Sequence, residues 1–182
     1  MGQRGPGKRS EKSKTLSLTA LAIGLGLLLT SPAFGDQITL LFPSLDAHSL
    51  VSENRSIEIK AGLTAQAREI ILALLTGPRT RLAPVFGPGE HLRQVFVSQE
   101  GIAYVDLAES AVKGLDAGVV SERLRLWSLV NSICINLEAV TAVKILVGGQ
   151  EVPTLMGHVD ISRPLYPDFS LIKENGQQEK TE

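Results

Sequence analysis

Apolar residues recur at helical spacing in two stretches of the chain, and one of these stretches contains the only tryptophan. At about 100° per residue, residues 121–137 place their large apolar side chains on one stripe of a helix. We predict that this helix organises the fold and that its core residues are Trp127, Val130, Ile133, Cys134 and Leu137. The opposite, polar face of the helix carries Arg125, Ser128, Ser132 and Asn136.

The second helical stretch follows Thr64, which we predict to be its N-cap. The predicted buried face comprises Ala67, Ile70, Ile71, Leu74 and Leu75. The helix is predicted to end at Gly77-Pro78, because glycine suits the left-handed position after a helix and proline cannot continue one. Residues 80–91, which contain two prolines and two glycines, are predicted to form a long surface loop.

Alternating or β-branched apolar runs predict strands around the two helices. These strands lie at residues 38–42, within 50–59, and at 95–98, 102–107 and 143–147. Gly101 is predicted to lie in a hairpin turn, and Gly148-Gly149 in a second turn that leads into Glu151-Val152. The pattern predicts an α+β fold, a two-layer sandwich with two main helices packed on a mostly antiparallel sheet.

The first 35 residues have the pattern of an export signal, in which a basic segment precedes an apolar run and small residues follow it. The apolar run, over residues 16–29, would extend roughly 21 Å as a helix against roughly 30 Å of bilayer hydrocarbon. A signal that is cleaved before Asp36 and a retained N-terminal anchor both fit this pattern. Both predict export across the cytoplasmic membrane. No cysteine follows the run, so the pattern is not that of a lipoprotein signal.

Charge argues against nucleic acid as a partner. Without the first 35 residues, the chain keeps 13 basic and 18 acidic residues, so its net charge is near −5. An acidic chain in which aromatic residues make up 4% of the sequence is not typical of proteins that bind polyanions through bulk charge. The single cysteine also excludes an internal disulfide and a thiolate metal site.

Reactive side chains lack the spacing of a catalytic or metal site. Cys134 lies on the apolar stripe, where a free cysteine packs as a small hydrophobe. Metal-ligand spacing is absent from the three histidines, His48, His91 and His158. Asp106 and Asp160 each end a β-like segment, where a carboxylate commonly caps a turn, and a catalytic or cation-binding pair is the alternative. We therefore predict no catalytic residue, no metal and no cofactor.

Two further groups of residues receive predicted roles. Turn or cap positions are assigned to Gly77, Gly101, Asp106, Gly148, Gly149 and Asp160. Arg79, Arg81 and Arg93 lie in or beside the 80–91 loop and are candidates for binding a protein partner or an anionic glycan. A solvated loop without a binding role is the alternative for these arginines.

Six segments follow one another in a characteristic order and spacing. They are Leu41-Phe42, Leu74-Leu75-Thr76-Gly77-Pro78, Gly101-Ile102-Ala103-Tyr104-Val105-Asp106-Leu107, Leu129-Val130-Asn131-Ser132, Val143-Lys144-Ile145-Leu146-Val147-Gly148-Gly149 and Gly157-His158-Val159-Asp160-Ile161-Ser162-Arg163-Pro164. Together they resemble the GerMN domain of sporulation and spore germination. The resemblance covers about residues 38 to 165. The chain departs from the family's Asn-Thr-Leu at Asn131-Ser132-Ile133 and from its Phe-Pro-x-Val at Leu137-Glu138-Ala139-Val140, and it lacks the common lipoprotein cysteine.

The resemblance implies an extracytoplasmic bacterial interaction module, with a fold similar to the ring-building modules of sporulation complexes and no catalytic residues. We expect residues 1–35 to be a signal or anchor, 36–168 to be the GerMN-like domain, and 169–182 to be a disordered polar tail. The expected partner is a protein of the cell envelope or the sporulation machinery, or a second copy of the chain. The predicted docking surface is an exposed strand edge or the 80–91 loop. The alternative functions are an exported cell-wall hydrolase and a glycan-binding module.

Overall fold

The computed structural model describes residues 1–2, 35–58, 60–87, 91–111 and 122–173. The chain divides into two compact units, residues 1–32 and 33–182. Of the first unit only Met1 and Gly2 are described, so nearly all of the predicted export signal lies outside the described residues. All of the helices and strands reported below belong to the second unit.

The first sheet is an antiparallel pair of strands, β1 (Asp36–Pro43) and β2 (Leu50–Ile57). Its apolar side chains divide between two clusters. Ile38, Leu40 and Phe42 are buried in the main core, whereas Leu41 and Leu50 belong to a smaller cluster. The alternation along β1 therefore places apolar side chains on both faces of this short sheet.

The second sheet has three strands in the order β3 (Leu92–Val97), β4 (Ile102–Leu107) and β5 (Ala142–Val147). β3 and β4 form an antiparallel hairpin whose turn contains Gly101 at φ 78°. A Cβ at Gly101 would lie 2.6 Å from the Ala139 carbonyl oxygen, so only glycine fits there. β4 and β5 are parallel, because the chain between them crosses over through a helix.

The predicted α+β class, with two main helices and mostly antiparallel pairing, is confirmed. The expectation of one sheet is wrong, since the described strands form two sheets. After Gly148 and Gly149, both at positive φ, the described chain forms one 3-10 turn and isolated bridges, which include those of Gln150 with Val147, Thr154 with Asp160 and Leu165 with Val143.

Helix α1 (Leu63–Leu75) buries the predicted apolar stripe at Ala67, Ile70, Ile71 and Leu74. Its N-cap is Gly62 and not the predicted Thr64. Thr64 lies inside the first turn, where its hydroxyl accepts a hydrogen bond from the Val97 N–H at 3.0 Å. The helix is followed by Gly77 at φ 83°, whose N–H donates to the Leu74 carbonyl.

Helix α2 (Glu122–Asn136) belongs to the connection between the parallel strands β4 and β5. Fully buried side chains on it include Leu126, Leu129, Val130 and Ile133, and Leu137 just beyond its end is also buried. Two predicted core residues, Trp127 and Cys134, are only half-buried at the rim of the core. The indole N–H of Trp127 donates to the Tyr166 carbonyl at 3.1 Å, so its ring lies under the C-terminal segment.

The polar face of α2 is covered by other segments of the chain. Arg125, Ser128 and Ser132 are buried, and Asn136 is half-buried. Each of them donates hydrogen bonds to, or accepts them from, main-chain groups of other segments. The helix is therefore covered on both its apolar and its polar sides.

The segment at residues 80–91 also differs from the predicted surface loop. Ala83, Val85, Phe86 and His91 are buried, because the Arg125 guanidinium holds the Val85 carbonyl at 2.5 Å and the apolar side chains enter the core. Residues 88–90 lie outside the described residues.

Residues 169–173, which we predicted to be part of a disordered tail, are ordered in the structure. Residues Phe169–Leu171 form a 3-10 turn capped by Asp168, and the Lys173 N–H donates to the Leu50 carbonyl of β2 at 2.8 Å. Ile172 packs against the smaller apolar cluster, which supplies the reason for this order. Residues 174–182 lie outside the described residues.

Candidate functional site

Polar side chains of α2 cover the outer edge of β1. The Leu41 N–H donates to Ser132 Oγ at 2.9 Å, and the Ser128 hydroxyl donates to the Leu41 carbonyl. Asn136 Oδ1 accepts the Thr39 N–H at 2.9 Å, while its Nδ2 donates to the Thr39 carbonyl at 2.7 Å. We refer to Ser128, Ser132 and Asn136 as the α2 ladder.

The α2 ladder closes β1 to any further strand. Beyond it, the Ala83 N–H donates to the Pro43 carbonyl at 2.8 Å. A strand edge whose donors and acceptors are already bonded offers nothing to an incoming segment. The predicted docking at an exposed strand edge therefore cannot use β1.

The outer edge of β2 is different. Because alternate residues of β1 direct their main-chain groups to α2, the antiparallel register directs those of Asn54 and Ser56 away from β1. At one end of this edge, the Leu50 carbonyl accepts from Lys173. Within the described residues, the main-chain groups of Asn54 and Ser56 have no partner. The part of this edge at Asn54 and Ser56 can therefore accept another extended segment.

The three candidate arginines do not share one surface. Arg79 and Arg81 are exposed after the end of α1, and the N–H groups of Arg79 and Thr80 donate to Glu53 Oε2 of β2 at 2.9 and 3.1 Å. Arg93 lies on β3 in the other sheet, with its Nε 3.0 Å from Asp106 Oδ2. The main chain at Arg79 thus contacts β2, and Arg93 belongs to the other sheet.

The second exposed surface is the outer face of the three-stranded sheet. It contains a pocket of about 380 Å³ lined by Gln94, Val95, Phe96, Tyr104, Asp106 and Leu146. Phe96 is 59% exposed, which is unusual for a large aromatic side chain on a strand. Its ring centroid lies 6.4 Å from that of Tyr104, with 38° between the ring planes.

The two candidate carboxylates have separate local partners. Asp106 Oδ1 accepts the Gly149 N–H at 2.7 Å, which fixes the turn after β5. Asp160 Oδ1 accepts the Ser162 N–H at 2.8 Å. Hydrogen bonds from the Ser162 hydroxyl and N–H lower the pKa of Asp160. A general acid for glycoside hydrolysis needs a raised pKa, so Asp160 does not suit that role.

Glu122 is a buried carboxylate that the sequence did not single out. Its Oε1 accepts the N–H groups of Leu155 at 2.9 Å and Met156 at 2.7 Å. Its Oε2 accepts those of His158 at 2.7 Å and Val159 at 3.1 Å. Four main-chain donors thus converge on one side chain, which ties residues 155–159 to the start of α2.

The remaining reactive groups do not form a site. Burial raises the pKa of the Cys134 thiol to about 11, so the nucleophilic thiolate is scarce at neutral pH. The three histidines lie in separate segments, and His91 is buried with its Nε2 2.6 Å from the Gly87 carbonyl. The described part of the chain has no cluster of three or more metal-ligating side chains. It also has no helix that is long and apolar enough to cross a bilayer.

Comparison with known protein families identifies the family of this chain. The Germane family, described as sporulation and spore germination, matches residues 39–153, which is more than half of the sequence. The chain belongs to the Germane family. The resemblance to GerMN domains that the sequence motifs predict is thereby confirmed. A search of curated proteins finds no match.

Solved structures share the fold of this Germane domain. A Clostridium perfringens protein described as a lipoprotein is 25% identical, with a TM-score of 0.52 over 74% of this chain and 89% of that chain. The first GerMN domain of the sporulation protein GerM from Bacillus subtilis is 17% identical, with a TM-score of 0.53 over 71% of this chain and 97% of that one. The tandem GerMN domains of GerM are 16% identical, with a TM-score of 0.54. They match 75% of this chain, which spans 47% of the tandem structure.

Sequence reasoning missed two features of the Germane domain that long-range contacts create. The α2 ladder had a visible signal, because Ser128, Ser132 and Asn136 recur at a spacing of four residues on one helix face. Glu122 had none, since its four donors lie more than 30 residues later in a segment without regular structure.

Proposed function

We propose that this Germane domain is a non-catalytic, exported module of sporulation or spore germination, which binds an extended, acidic segment of an envelope protein at the outer edge of β2. The observation that carries the proposal is the open main chain of Asn54 and Ser56. The exposed arginines Arg79 and Arg81 belong to a segment that contacts β2 through the Arg79 N–H and Glu53. Extended peptides commonly bind at a sheet edge through main-chain hydrogen bonds.

Two observations support export. The first 35 residues have the order of a signal, with a basic segment, an apolar run and small residues. The similar Clostridium perfringens protein is described as a lipoprotein, which is an exported class. The Germane family is described as sporulation and spore germination, which supports a role in these processes.

The β2 edge is a better docking site than the alternatives. The edge of β1 is occupied by the α2 ladder, and much of the 80–91 segment is buried. On β2, the Lys173 N–H donates to the Leu50 carbonyl, and this main-chain contact at the same edge supports the proposal. The cations of Arg79 and Arg81 favour an acidic segment by charge complementarity.

A non-catalytic role is supported by the state of the reactive groups. The Asp106 carboxylate is held by Arg93 and Gly149, and the pKa of Asp160 is lowered rather than raised. The Cys134 thiol has a raised pKa. None of these groups has the activation that nucleophilic or acid–base catalysis requires.

The test is crosslinking and co-purification from sporulating cells, with capture compared between Ser56→Pro and Ser56→Ala. Both variants lose the side-chain contact with Gln37, but only proline removes the main-chain N–H. We expect Ser56→Pro to lose the partner and Ser56→Ala to retain it. Arg79→Glu and Arg81→Glu should weaken capture, whereas Arg93→Glu, on the other sheet, should not.

Two results would contradict the proposal. The first is equal capture by the proline and alanine variants. The second is hydrolysis of purified cell wall by the wild-type protein that is lost in folded Asp106→Asn or Asp160→Asn. The second result would support the alternative of an exported hydrolase.

A further inference from the structure

The pocket on the outer face of the three-stranded sheet is separate from the β2 edge and has no role in the proposed docking. Its volume of about 380 Å³ falls in the range typical of small-ligand sites, roughly 300 to 1,000 Å³. It crosses all three strands, with Gln94 and Phe96 from β3, Tyr104 and Asp106 from β4, and Leu146 from β5.

One part of the pocket is an aromatic platform. Phe96 and Tyr104 are direct cross-strand partners on the face that points away from the core. Phe96 is 59% exposed, and Tyr104 is half-buried. Aromatic rings that expose one face to solvent gain free energy when an apolar surface covers that face. The C–H face of a sugar ring is a surface of this kind.

The other part of the pocket is polar and held in place. Gln94, which is exposed, lies opposite Asp106 in the register of β3 and β4. The Asp106 carboxylate is fixed by the Gly149 N–H at 2.7 Å and the Arg93 guanidinium at 3.0 Å. A carboxylate and an amide on a rigid sheet are positioned to exchange hydrogen bonds with hydroxyl groups.

The charge of the pocket favours a neutral ligand. Arg93 and Asp106 compensate one another, and the other lining side chains are uncharged. The remaining nearby cation on this face, Lys144, is buried and donates to the carbonyls of Ile161 and Ser162 and to Glu151. The C-terminal segment thus covers the β5 side of the face, and the opening lies over β3 and β4.

We infer that this pocket binds one or two neutral pyranose rings of a glycan. One ring stacks on Phe96 and Tyr104, and its hydroxyl groups bind the Gln94 amide and the Asp106 carboxylate. The inference that the natural ligand is a cell-envelope glycan rests on the proposed export. The affinity of the pocket for pyranose rings does not depend on export.

The test is an NMR titration of the purified full-length protein with chitotriose and maltotriose, which are neutral pyranose oligomers, and with an oligomer of glucuronic acid as the charged comparison. We expect saturable shifts at the amides of Gln94, Phe96 and Tyr104 with at least one neutral oligomer. The charged oligomer should bind more weakly.

The matched variants are Phe96→Ala and Phe169→Ala. Phe169 is another exposed aromatic residue, 47% exposed, in the 3-10 turn near the C-terminus. We expect Phe96→Ala to weaken affinity for the neutral oligomer about tenfold, the scale of one lost aromatic contact, and Phe169→Ala to leave it unchanged.

Four results would overturn the inference. They are the absence of shifts with both neutral oligomers, shifts centred on another surface, equal losses in the two phenylalanine variants, and tighter binding of the charged oligomer. Capture of an envelope protein that is lost in Phe96→Ala but not in Ser56→Pro would instead assign this face to a protein. Because the β2-edge test uses different residues, either proposal can fail while the other holds.

Discussion

Glu122 links two distant parts of the Germane domain through a single side chain. Its carboxylate, 4% exposed, accepts four main-chain hydrogen bonds from residues 155–159. Hydrogen bonds to an ionised acceptor are stronger than those between neutral groups. The side chain therefore orders a segment that has no helix or strand of its own.

We expect Glu122→Gln to lower the free energy of unfolding by roughly 2 to 4 kcal/mol, because an amide NH₂ then faces two main-chain donors and leaves them unbonded. The measurement is the urea midpoint of unfolding. Glu138→Gln, an exposed site just after α2, is the control and should shift the midpoint little. Equal midpoints for the two variants would show that the four contacts contribute no net stability.

Glu53 is a second buried carboxylate, at the contact between β2 and the end of α1. Burial alone would raise the pKa of Glu53, but hydrogen bonds from Arg55, Thr80 and the Arg79 N–H outweigh it, and the pKa is lowered. Arg55 also donates to the carbonyls of Ala73 and Gly77. The pair thus joins the strand to the helix end.

A lowered pKa in the folded state makes the stabilisation by Glu53 depend on pH. It is present above the ordinary value of 4.5 and is lost as the pH falls through the lower, folded value. We therefore expect Glu53→Gln to cost more stability near about pH 7 than near about pH 3. Urea unfolding of both proteins at the two pH values measures this difference. A cost that does not change with pH would contradict it.

At the scale of elements, α2 takes the place of a neighbouring strand. A two-stranded sheet is marginally stable alone, and β1 lacks a strand on its outer side. The α2 ladder supplies the missing donors and acceptors at Thr39 and Leu41. The helix therefore stabilises the first sheet and protects its edge from aggregation.

We expect Ser132→Ala to destabilise the domain by about 1 to 3 kcal/mol, because it leaves the buried Leu41 N–H without an acceptor. Ser110→Ala, at an exposed serine, is the matched control and should be close to neutral. Hydrogen exchange at Leu41 adds a local readout and should accelerate in Ser132→Ala. Unchanged exchange there would show that the hydrogen bond does not protect the edge.

At the scale of the whole molecule, the pattern of the first 35 residues predicts that the Germane domain is exported. We expect protein recovered from the native host to begin at Asp36, because small residues follow the apolar run just before it. Intact mass of the secreted and membrane fractions measures this. A membrane-bound species that retains Met1 would show that the segment is an anchor, and a cytoplasmic species that retains it would contradict export.

The sequence alone determined the elements and the family of this protein. The 3.6-residue stripes of α1 and α2 and the alternation at Ala103, Val105 and Leu107 are local patterns, because each repeats within a single element. Gly77 and Gly101 likewise mark turns through their own backbone preferences. The ordered motifs also sufficed to predict the GerMN resemblance, which the match over residues 39–153 confirms.

The tertiary structure alone decided which polar residues are buried and which surfaces are open. The sequence places Ser132 on the polar face of a helix, and only the position of β1, 91 residues away, shows that it is buried. Glu122 is buried because residues 155–159 bond to it, whereas Trp127, which we predicted to be a core residue, is half-buried at the rim of the core. The pocket beside Phe96 requires the register of three strands, one of them parallel. These features depend on contacts between distant segments, and a periodic pattern within one element carries no information about its partner.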